Sequence, residues 1–87
     1  MNIEPLIKMA NEIAAFFEAE PDKEQAMKNT ANHMSRYWEQ RMRREIVAHY
    51  RRGAGGLGDI ARGAVAILAQ QGAHAPLPPS PGGGDAG

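Results

Sequence analysis

Arg36-Tyr37-Trp38-Glu39-Gln40-Arg41-Met42-Arg43-Arg44 is the stretch on which the fold turns. It decides whether the middle of the chain is one helix or two. Neither proline nor glycine interrupts it, so propensity permits a single helix from Lys23 to Arg52, about 45 Å long at 1.5 Å per residue. A free helix of that length needs a partner along it. A bend near Trp38 is therefore favoured, with Glu39 capping a third helix. That helix carries Met42, Ile46, His49 and Tyr50 inside and Arg41, Arg44, Glu45 and Arg51 outside. The same stretch holds the only tryptophan and four of the ten Lys and Arg residues. A large aromatic beside clustered arginines is the composition of a binding surface.

Upstream, Ile3, Leu6, Ile7, Ala10, Ile13, Ala14 and Phe17 recur at the i, i+3, i+4 spacing that lines one face of a helix. Asn2 is placed to cap it, and Pro5 suits a first turn, where its missing N–H has no partner anyway. Met9 and Phe16 form an adjoining stripe, so the helix is expected to touch two neighbours or a partner chain. Pro21 forces a break near Glu20. Asp22 then caps a second helix, with Gln25 as the reciprocal half of a capping box. Its inner face is Met27, Thr30, Ala31, Met34 and either Tyr37 or Trp38, and its outer face is Lys23, Lys28, Asn29, Asn32 and Arg36.

Downstream, Gly53-Ala54-Gly55-Gly56 stops the third helix in a flexible turn. A last helix is predicted from Asp59, as its cap, to about Gln70, carrying Ile60, Ala64, Val65, Ile67 and Leu68. Gly63 weakens it by about 1 kcal/mol relative to alanine. From Gly72 the composition collapses into Pro, Gly, Ala and Ser. The expected architecture is an all-α domain of three to four helices over residues 1–71, with a disordered Gly/Pro-rich tail at 72–87.

With 87 residues and no cysteine, the chain is one domain at most, without disulfides or thiolate metal sites. No apolar run approaches the roughly 20 residues of a membrane span, and no signal peptide is visible, so a cytoplasmic protein is expected. The zero net charge hides an asymmetry. Met1 to Gln25 holds six acids against two lysines, whereas Arg36 to Arg52 holds six arginines against two glutamates. Either the two halves face each other in the fold or the basic segment faces a partner.

Catalysis fails on inventory. His33 and His49 lie on different segments, His74 falls in the tail, and no zinc-binding spacing exists. Glu18, Glu20, Asp22 and Glu24 surround an exposed turn, where a solvated cluster is the simpler reading than paired acid–base catalysts. The glycine run from Gly53 to Gly58 follows a helix and lacks the Gly-Lys-Ser/Thr ending of a phosphate loop. The alternative function class is a helix-turn-helix-like nucleic-acid binder using Arg36, Arg41, Arg43, Arg44, Arg51 and Arg52. The zero net charge and the interspersed Glu39 and Glu45 weigh against it. A protein-docking patch of Tyr37, Trp38, Arg41, Met42, Arg43 and Arg44 uses more of these residues. Trp38 is equally open to core packing.

The segments Met9-Ala-Asn-Glu-Ile with Phe16-Phe17, and Tyr37-Trp38-Glu39-Gln40-Arg41-Met42-Arg43-Arg44, resemble the delta subunit of NAD-dependent, molybdenum-containing formate dehydrogenases. The resemblance covers about Met1 to Leu68 and departs from the family at Gln40, where a proline is usual. It implies a non-catalytic accessory subunit of a cytoplasmic complex that binds the catalytic alpha subunit. The implied role is support of assembly, stability or cofactor insertion. Bis-molybdopterin guanine dinucleotide, iron–sulfur clusters, FMN and NAD are then expected in the partner alpha, beta and gamma subunits, with none bound by this chain. Nucleic acid and membrane are not expected partners, and self-association is expected when the partner is missing.

Overall fold

The computed structural model describes residues 2 to 74, with side chains through Gln71. Four helices account for most of them: α1 (Glu4–Phe17), α2 (Lys23–Tyr37), α3 (Gln40–Arg51) and α4 (Asp59–His74). No strand occurs among the described residues. The expected tail lies outside them except for its first three residues, whose backbone continues α4 to His74. That helix runs past Gln70 because a glycine in a helix costs only about 1 kcal/mol and does not by itself end one.

The bend falls at Trp38 and Glu39, whose backbones are extended at φ −86°, ψ 140° and φ −65°, ψ 152°. With neither proline nor glycine there, tertiary burial accounts for the break. Trp38 is turned inward and only 5% exposed, in the same core as the fully buried Ile46 of α3. The core gathers Leu6, Ile7 and Ala10 from α1, Ala31 and Met34 from α2, Ile46 from α3, and Ala61, Ala64, Val65 and Leu68 from α4. Thr30 is buried among them with its hydroxyl donating to the Ala26 carbonyl at 2.8 Å, so its polarity is satisfied locally.

The α2–α4 pair is the most extensive contact. The two helices run in the same direction, since Met27 faces Gly63 and Ser35 bonds Gln71 eight residues further along each. A Cβ at Gly63 would overlap the Met27 side chain, 2.7 Å from its Cγ. Gly63 is therefore the notch that the Met27 side chain fills between these helices, a role hidden behind its poor helix propensity.

The helix ends depart in part from expectation. Asn2 Oδ1 accepts from the Glu4 N–H at 3.1 Å and Asp22 Oδ1 from the Glu24 N–H at 3.0 Å. Gln25 does not close a capping box; its amide donates to Asn29 Oδ1 instead. Glu39 makes no side-chain cap bond. Asp59 is the first residue of α4 rather than its cap, and its carboxylate pairs with Arg62.

The turn from Gly53 to Gly58 is pinned rather than free. Gly53 N–H donates to the Tyr50 carbonyl and Ala54 N–H to that of His49, the paired bonds of a Schellman ending. Gly53 and Gly56 take positive φ of 126° and 85°, which glycine enters without a side-chain penalty. Ala54 does so too, at φ 58°, with its methyl group buried. Asn11 then clamps the turn from α1, donating to the Gly56 carbonyl at 2.8 Å and accepting from the Gly58 N–H at 2.9 Å.

Candidate protein-docking surface

The six residues singled out around the bend divide into a frame and a face. Trp38 belongs to the frame, in the core cluster. Arg43 is half-buried, and its Nη1 donates to the Ser35 carbonyl at 3.1 Å and to the Trp38 carbonyl. These carbonyls end α2 and lack helical partners, and a cation there also meets the negative end of the helix dipole. Arg43 thus ties α3 back onto the end of α2. Met42 is half-buried against the core. Tyr37, Arg41 and Arg44 remain on the face, with Tyr37 71% exposed. Arg41 lies 3.6 Å from Glu45 one turn on, an exposed pair of small energetic value.

The acidic and basic halves of the sequence do not neutralise one another. Among the described residues the ion pairs are Arg41–Glu45 and Asp59–Arg62, both within single helices. Arg44 and Arg51 of α3 present their charge outward, whereas Arg43 is held by the carbonyls at the end of α2. Arg43, Arg44 and Arg51 edge an open groove of about 690 Å³ between α3 and α4, whose floor includes Val47, Ala48, Leu68 and Ala69. Arg51 was outside the sequence-based patch; its place seven residues after Arg44, on the same helical face, was the available signal.

A second feature lies largely outside the docking patch expected from the sequence, although the Met9 and Phe16 stripe points to it. Phe16 is 78% exposed and packs edge-on against Phe17 at 5.1 Å between ring centres. Phe17 meets His33 at 6.0 Å, and His33 meets Tyr37 at 4.7 Å. A row of four rings thus crosses from α1 to α2 and ends at the bend, with Met9 and Ile13 beside it. Contiguous exposed apolar surface of this kind marks interaction sites more often than chance. The rings come together because Phe16 and Phe17 end α1 while His33 and Tyr37 are one turn apart on α2.

A small helical domain with an aromatic row and an arginine-edged groove on its described surface has the make-up of a protein-binding module. The family model for the NADH-dependent formate dehydrogenase delta subunit, FdsD, matches residues 5–65, and the chain belongs to that family. Comparisons with curated proteins and with solved structures return no match. No helix among the described residues is long and apolar enough to cross a membrane.

Proposed function

We propose that this chain is a non-catalytic accessory subunit of a cytoplasmic molybdenum formate dehydrogenase. It docks on the catalytic alpha subunit and supports assembly, stability or insertion of the bis-molybdopterin cofactor. Family membership supports the complex, and the exposed row from Phe16 to Tyr37 supports docking as the chain's own task. Such a row gains by burial against a second protein. Tyr37, Arg41 and Arg44 form the contact face at the bend, held in place by Trp38, Met42 and Arg43. The molybdenum cofactor, the iron–sulfur clusters, FMN and NAD belong to the partner subunits.

The test is co-purification of a Tyr37→Ala, Arg41→Ala, Arg44→Ala chain with the complex; undiminished association sinks the assignment of the face. Enzyme made without the chain is expected to carry less molybdenum, with occupancy recovered on co-expression. Equal occupancy in both preparations removes the insertion role.

A further inference from the structure

We propose that the α3–α4 groove receives an acidic amphipathic helix of a partner protein. The inference deepens the docking reading and takes from it only that the chain binds protein. Its first ground is charge. Arg44 and Arg51 form no ion pair among the described residues, and they stand seven residues apart on α3. Two helical turns separate them by about 10.5 Å. Carboxylates with the same spacing on a facing helix meet both guanidinium groups, each able to hold a carboxylate bidentately.

The second ground is the floor. Val47 and Ala48 are half-buried, and Leu68 and Ala69 lie buried beneath them. An aliphatic floor beside a charged edge on α3 matches a helix with one apolar stripe and acids along one side of it. Small residues in the floor let the incoming backbone come close. The twelve residues of α3 give the groove a length of about 18 Å, room for roughly three turns. A phosphodiester backbone satisfies the arginines but leaves this floor uncovered, so the groove favours protein over nucleic acid.

The experiment places a photo-crosslinking benzoylphenylalanine at Ala48 of the full chain, in cells producing the whole complex. The crosslinked segment is then mapped by mass spectrometry. The expected product is a segment of another protein that reads as an amphipathic helix with Asp or Glu seven residues apart. Arg44→Glu with Arg51→Glu is expected to lower the yield about tenfold or more, and reversing the two mapped acids to lysine to restore it. Both arginines are exposed, and an unchanged melting curve for the double variant separates lost binding from lost fold. A crosslink to nucleic acid, to this chain itself or to a segment without acids overturns the inference, as does a yield that ignores the charge reversal. Co-purification of the unsubstituted chain with formate dehydrogenase is scored in parallel. If the chain fails to co-purify yet crosslinks to an acidic helix elsewhere, the subunit reading falls and the groove assignment stands. Intact co-purification with no charge-dependent crosslink has the opposite meaning.

Discussion

Two neighbouring aromatics illustrate how far one position decides a residue's task. Tyr37 closes α2 with its ring in solvent, whereas Trp38 leaves the helix and enters the core. Trp38→Ala is expected to destabilise the fold by about 3–5 kcal/mol, from lost burial and the cavity left behind. Tyr37→Ala is expected to change stability by less than about 1 kcal/mol while weakening docking. Urea denaturation of both variants checks the contrast; equal midpoints refute it. Arg43→Ala is expected to cost about 1–2 kcal/mol, since it strips the α2 terminus of its charged donor. The sequence placed Trp38 and Arg43 in the right neighbourhood without separating core from face. Periodicity reports which side of a helix a residue lies on, and both residues sit where one helix stops and another begins.

The helices themselves were legible where local chemistry punctuates them. Pro21 and Asp22 mark the gap between α1 and α2, and Gly53 marks the end of α3. The break at Trp38 carries no such mark, and what accompanies it is the burial of the Trp38 ring in the shared core. Gly63 shows the opposite failure, a residue whose propensity argues against the helix but whose missing side chain makes room for Met27 of α2. Gly63→Ala is expected to destabilise by about 1–2 kcal/mol, since the crowding at Met27 exceeds the roughly 1 kcal/mol gained in helix propensity. In a Met27→Ala background the same change is expected to stabilise by up to about 1 kcal/mol. A double-mutant cycle in urea reads the coupling, and a sum of independent effects refutes the notch. At the turn, Asn11→Ala removes both of its bonds to Gly56 and Gly58. Its expected cost is about 1–2 kcal/mol, seen as faster amide exchange at Gly58.

For the molecule as a whole, neutrality is an arithmetical result rather than a structural one. The acids of α1 and the turn after it, and the arginines of α3, project their charge separately because the described ion pairs are local. Head-to-tail attraction between copies, together with the exposed rings of Phe16 and Tyr37, predicts weak self-association of the isolated chain. Sedimentation velocity is expected to show a concentration-dependent shift that Phe16→Ser with Tyr37→Ser reduces. A strictly monomeric unsubstituted chain at high concentration refutes it. The Asn11 clamp has a consequence for synthesis. It joins residues 45 and 47 positions apart, so α1 emerges from the ribosome long before the turn that fixes it exists. Its seating stays provisional until Gly58 has been made, and a nascent chain halted short of that point holds its first helix without its lock.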